Sequence, residues 1–172
     1  MVKDNAIRIL DTHRIMAIST VRPDGWPQTT IVGYANVGLA VYFLIFRSSQ
    51  KFENIQRDDR ISFAVGEEPK DVHELNAIYA GAHALEVTEA GEREDAWRLL
   101  RQRHPNLASF ELPALSEAAM MRANCKYVSV LDHRIGPGYT QSLAIDTAGG
   151  PVAAENEDDW SQRAVGKLAS ED

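Results

Sequence analysis

Residues 15–65 constrain the fold of this 172-residue chain more than any other stretch. They hold four apolar, β-branched runs, at 15–21, 28–34, 39–46 and 61–65, separated by turn chemistry and one short polar segment. Runs of this length and composition suit a pleated, half-buried surface. The first run ends at Arg22-Pro23-Asp24-Gly25, where proline presets φ and glycine supplies the positive φ of a tight turn. Asn36-Val37-Gly38 turns the chain again. The run 39–46 is almost entirely apolar, which predicts a strand covered on both faces. Between Arg47-Ser48-Ser49-Gln50-Lys51 and Arg57-Asp58-Asp59-Arg60 the pattern predicts a short helix. Strands on short connections around one helix predict a mostly β fold.

The remainder of the chain adds to this frame. Residues 4–14 read as a helix with Ile7, Leu10 and Ile15 on one face and Asp4 or Asn5 as its cap. Residues 67–75 are polar and contain Pro69, a surface connection. Residues 76–87 read as a strand rich in small residues, with Gly81 marking a close approach or a bulge. A helix is predicted over 91–104, with Trp97 and Leu100 on one face, stopped by His104-Pro105. A second helical stretch is predicted over 116–124, from Ala118, Ala119, Met120 and Met121 behind a Ser116 cap. The last strand is placed near 126–135, and Gly136-Pro137-Gly138 breaks it. Residues 1–146 then form one domain, and 147–172 an acidic, flexible tail.

Composition excludes several function classes. The net charge is −7, of which 155–172 supplies −4 through six acids against Arg163 and Lys167. No Lys/Arg cluster offers the basic face that nucleic acid requires. The longest apolar run, eight residues at 39–46, is too short to span a bilayer, and no signal-peptide pattern opens the chain. Cys125 is the single cysteine, which rules out an internal disulfide and a multi-thiolate metal site. The five histidines show no metal-ligand spacing. A cytoplasmic protein without nucleic-acid or membrane partners is expected.

Ser49 and Lys51 stand where a helix begins, and unpaired N–H groups there favour an anion. From position alone, a capping serine and a solvated lysine are the commoner roles. Thr29 and Thr30 on a strand are, from position alone, ordinary β-formers. Cys125 has no base to pair with, so an inert thiol is expected.

Together, Pro23-Asp24-Gly25-Trp26-Pro27, the strand with Thr29–Val32, the Ser49-Gln50-Lys51 helix start and Lys51-x-x-Asn54-Ile55-x-Arg57-Asp58-x-Arg60-Ile61 resemble the pyridoxamine 5'-phosphate oxidase-like split-barrel superfamily. The match covers residues 8–90 well and 126–135 more loosely. The resemblance implies a six-stranded antiparallel split barrel that dimerises and binds FMN at the subunit interface. It implies FMN contacts from Thr29, Thr30, Ile31, Val32, Leu44, Ile45, Ser49, Gln50 and Lys51, with Lys51 on the phosphate. Where the oxidase carries an arginine before that lysine, this chain has Gln50, and Arg47 is a candidate to replace the charge. Asn76 falls where the oxidase uses a glutamine amide toward the flavin. His133 and Tyr139 correspond to a segment near the cofactor in related flavoproteins. The oxidase's C-terminal Arg-x-His substrate element has no counterpart, so vitamin B6 oxidation is not the expected activity. An FMN-dependent oxidoreductase acting on a small organic substrate is expected instead. A non-catalytic FMN or electron-transfer protein, a deazaflavin or haem relative, and a cofactor-free sensor domain are the alternatives.

Overall fold

The computed structural model describes residues 2–145 and 151–152. Helix α1 (Val2–Thr12) leads into the hairpin β1 (Ile15–Val21) and β2 (Pro27–Gly33). After Tyr34 come β3 (Ala35–Val37), β4 (Ala40–Phe46), α2 (Gln50–Arg57), β5 (Arg60–Gly66) and β6 (Asn76–Glu86). Helix α3 (Ala90–Arg103), β7 (Ala118–Asp132), β8 (Thr140–Ile145) and the two-residue β9 (Pro151–Val152) complete the order. Every pairing is antiparallel, in the order β2-β1-β5-β6-β7-β4-β3, with β8 on β7 and β9 on β8. This is the expected split barrel, with more strands than the expected six. Of the tail placed at 147–172, residues 147–150 and 153–172 lie outside the described residues.

Alternation explains the barrel interior. Met16 and Ile18 of β1, Val41, Phe43 and Ile45 of β4, and Ile61, Phe63 and Val65 of β5 all point into one core, and α1 adds Ile9 and Leu10. At about 25 cal/mol per Å2 of apolar surface removed from water, such side chains dominate the stabilisation. The glycine turns hold as expected, with φ of +86° at Gly25 and +59° at Gly38. β4 is indeed covered on both faces. Its second face, Tyr42 and Leu44, packs with Ala35 and Met120 beneath Ala96, Trp97 and Leu100 of α3.

The helix expected over 116–124 is not formed. Residues 118–132 make one fifteen-residue strand, paired with β4 over 118–124, with β8 over 127–131 and with β6 along the other side. Ala119, Met121 and Ala123 enter the barrel core while Met120 enters the layer under α3. A strand buried on both faces carries no polar alternation, and tertiary pairing overrides the helix propensity of Ala and Met. The register shift at Gly81/Ala82 confirms the bulge expected there.

Candidate functional site

Two strand edges define the split. β2 pairs with β1 on one side only, and β3 covers β4 only over residues 40–42. Residues 43–46 of β4 therefore present an open edge, and β2 approaches β4 across the gap. The expected Thr29–Val32 and Leu44–Ile45 lie on these two edges. Unpaired edge N–H and C=O groups are the main-chain donors and acceptors that remain for a ligand. The side chains of Leu44 and Ile45 are committed elsewhere, to the layer under α3 and to the barrel core. What these two residues offer a ligand is main chain.

On β2 the side chains alternate. Thr29 Oγ1 meets Ser19 Oγ at 2.7 Å on the outer face. Ile31 is 64% exposed beside them. Thr30 Oγ1, by contrast, is buried without a hydrogen-bond partner. A buried hydroxyl in this state is costly.

Helix α2 spans the end of the gap, because it packs on both β1 and β4. Ser49 is its N-cap: the hydroxyl accepts from Phe52 N–H at 3.3 Å and donates to Phe46 C=O at 2.7 Å. Gln50 donates to Glu53 Oε2 and Asn54 Oδ1, both at 3.0 Å. Asn54, fully buried, donates onward to Thr20 Oγ1 at 2.9 Å and Gln28 Oε1 at 3.1 Å, tying α2 to the β1–β2 hairpin. Lys51 alone of the Ser49-Gln50-Lys51 triple keeps its donors free. Its ammonium is half-buried, pairs with no acid among the described residues, and has its pKa lowered by that burial. A desolvated cation beside open amide groups at a helix N-terminus suits an anion.

Arg47 does not take the charge role considered for it. Its guanidinium pairs with Glu86, donates to Leu115 C=O, and stacks over Phe52 at 5.0 Å from the ring centre. It fastens the 105–117 loop to β6. Nor does Asn76 join Lys51 within one protomer. It begins the eleven-residue β6 whose last residue, Glu86, pairs with Arg47 beside α2. Asn76 and Glu86 are ten residues apart along the strand, roughly 30 Å at about 3.3 Å per residue. His133 Nδ1 lies 3.0 Å from Val72 C=O at that same far end. Cys125 is buried, its thiol pushed up to about 12 by desolvation, which matches the expected inert role.

A groove of about 720 Å3 runs over the outer face of β1, β2 and β5. Ile15, Ala17, Ile31, Ala64 and Gly66 floor it, and Val72 and Leu75 of the 67–75 connection wall it. Its signal was present in the sequence as alternate Ile15-x-Ala17-x-Ser19 positions, too short and too small to read as a site.

The chain is an antiparallel split barrel with a cationic helix start at the gap. A sequence profile for the family described as pyridoxamine 5'-phosphate oxidase matches residues 2–132, and the chain belongs to that family. No curated protein matches it significantly. Solved structures share the fold at low identity. A conserved hypothetical protein of Mycobacterium tuberculosis is 20% identical with a TM-score of 0.67, over 78% of this chain and 86% of that one. A heme-binding protein of Mycobacterium smegmatis is 16% identical with a TM-score of 0.68, over 81% of this chain and 57% of that one. A FAD-binding protein of Mesorhizobium loti is 20% identical with a TM-score of 0.61, over 76% of this chain and 94% of that one. No helix among the described residues is long and apolar enough to cross a membrane.

Proposed function

We propose that the protein binds a flavin, specifically FMN, along the split between β2 and β4. Lys51 and the first amides of α2 hold the phosphate. The main chain of Thr29–Val32 and Leu44–Ile45 borders the ring system. The observation that carries this reading is Lys51: a half-buried ammonium without an acid partner, at a helix start beside two unpaired strand edges. Bound there, FMN supplies the redox chemistry, and the chain positions it. The activity is that of an oxidoreductase on a small organic substrate, in the cytoplasm. No side chain in the gap is placed as a general acid or base, which keeps electron transfer as the second role of the same site.

The uniform apolarity of β4 does not itself argue for a dimer, because α3 of the same chain covers its second face. The outer face argues for one instead. Ile15, Ile31, Tyr79, Tyr127 and Val72 are all exposed on one side of the molecule, around a floor of Ala and Gly. A second copy covering this face would enclose the flavin, as intersubunit clefts commonly do. A haem reading ranks lower. His104, at the Gly33 end of β2, has Nε2 engaged with Tyr34 C=O at 3.0 Å, so only its Nδ1 could take an axial metal bond.

Titrating the purified protein with FMN, FAD, riboflavin and haemin tests the proposal by absorption and flavin fluorescence. FMN is expected to bind stoichiometrically and more tightly than riboflavin. Haemin binding at one site per chain with no flavin binding would overturn it.

A further inference from the structure

The gap between β2 and β4 has two chemically different ends. At one end Asn54 of α2 reaches Thr20 and Gln28, and the Lys51 ammonium stands at the helix start. At the other end β2 stops at Gly33, and the chain returns as β3 to pair with β4 over residues 40–42. Gln28 and Gly33 are five residues apart along β2, roughly 16 Å at about 3.3 Å per residue. A flavin held by its phosphate at Lys51 therefore carries its ring toward the Gly33 end.

That end holds a histidine. Residues 29, 31 and 33 share the outer face of β2, and position 33 has no side chain. The ring of His104, the C-cap of α3, takes its place: a Cβ at Gly33 would stand 2.9 Å from His104 Cε1 and 3.2 Å from Nε2. The φ of Gly33 is not in the left-handed region, so the glycine serves the approach of this ring rather than a turn. His104 Nε2 lies 3.0 Å from Tyr34 C=O, which can only accept, so Nε2 carries a proton. Nδ1 has no partner among the described residues and is not enclosed. In the neutral imidazole it is an open acceptor.

An oxidised isoalloxazine ring carries several acceptors but a single donor, the N3–H of its pyrimidine edge. The geometry points to His104 as the residue that receives it. Nδ1 accepts the flavin N3–H and fixes the pyrimidine edge at the Gly33 end of the gap. This inference rests on the flavin reading and adds to it the side chain that decides which edge of the ring enters. The two ends then divide the recognition: Lys51 selects the phosphate, and His104 orients the ring.

The test compares FMN with its N3-methyl derivative, which keeps the phosphate and lacks the donor. Both are titrated by flavin fluorescence into the wild type and His104→Ala. The wild type is expected to bind the methylated flavin about three- to tenfold more weakly than FMN, the loss of one neutral hydrogen bond. His104→Ala should weaken FMN by about the same factor and bind the two flavins within about a factor of two of each other. If that variant does not fold, Gly33→Ala takes its place: it keeps the imidazole, displaces it from β2, and should lose the preference as well. Equal binding of the two flavins by the wild type, or an undiminished preference in the variant, would overturn the inference. In the second case His104 only ties α3 to β2, and its loss weakens both flavins alike. A wild type that binds FMN with a preference independent of His104 leaves the flavin reading standing, whereas a wild type that binds neither flavin overturns both.

Discussion

The ring of Tyr127 lies against the backbone of Gly81, in the space where any other residue would begin its side chain. A Cβ at position 81 would stand 2.2 Å from Tyr127 Cε1 and 2.3 Å from Cζ. The two residues are cross-strand partners beside the register shift, where Lys126 of β7 is the unpaired extra residue. The glycine is thus required by packing on the outer face, since its φ is not in the left-handed region.

Gly81→Ala should therefore destabilise the fold by about 1–3 kcal/mol, the usual range for overpacking. Tyr127 is 42% exposed and is the group that must move. Combining Gly81→Ala with Tyr127→Ser should recover most of the loss, because contacting sites are not additive. Urea unfolding of the two single variants and the double variant checks this. Additive losses would show that the ring is not the obstacle.

Arg103 fastens the C-terminal end of α1. Its Nη1 donates to the carbonyls of Leu10 at 2.8 Å, Asp11 at 3.0 Å and His13 at 2.8 Å, and Nη2 to Asn36 Oδ1 at 3.1 Å. These are carbonyls a helix end leaves unpaired. Arg103→Met should cost about 2–3 kcal/mol in chemical denaturation. Arg103→Lys should restore only part of it, because an ammonium cannot reproduce the planar fork. Full rescue by lysine would reduce the role to charge.

The fold was legible where local chemistry and tertiary context agree. Pro23-Asp24-Gly25 and Asn36-Val37-Gly38 are turns in any surroundings, and the runs beside them have strand composition. Ala118 to Asn124 is the opposite case. Alanine and methionine favour a helix, and only the neighbours β4, β6 and α3 make that segment a strand. The three-residue β3 and the polar start of β8 carry too little pattern to be read at all. Thr29–Val32, Leu44–Ile45 and Lys51 became candidates only through family resemblance. Their common property, two open edges and an unpaired cation at one gap, exists only after the barrel curls. The engagement of Arg47 with Glu86 was likewise invisible, since 39 residues separate them.

Acid should weaken the protein through its hydrogen-bonded carboxylates. The Arg134 side chain, with its backbone N–H and Asn5, holds the buried Asp132 carboxyl below the ordinary range. Arg60 likewise holds Asp58 at about 2. Folded-state values below the unfolded ones mean stability that is present above about pH 4 and lost as the pH falls through the folded values. Asp132→Asn should lower stability at neutral pH and flatten the decline between about pH 4 and 2. A decline of unchanged slope in that variant would assign the acid sensitivity elsewhere.

Lys51 links stability to the proposed ligand with opposite signs. Burial lowers its pKa, so the folded apo protein disfavours the ammonium relative to the unfolded chain. That penalty is present at pH 7, shrinks as the pH rises through the folded value, and is absent above the unfolded value of about 10.4. Lys51→Met keeps the apolar stem and removes the charge. It should make the apo protein more stable at pH 7, with the gain fading in strongly alkaline solution. The same variant should bind FMN about ten- to a hundredfold more weakly, through loss of a charge-assisted hydrogen bond of about 1.5–3 kcal/mol. Riboflavin has no phosphate and should bind both proteins equally. Thermal melts of the apo proteins at several pH values, with fluorescence titrations of both flavins, measure all of this on two proteins. Equal FMN affinity would remove Lys51 from the phosphate site. Riboflavin weakened to the same degree as FMN would mean that the substitution had damaged the gap between β2 and β4 as a whole.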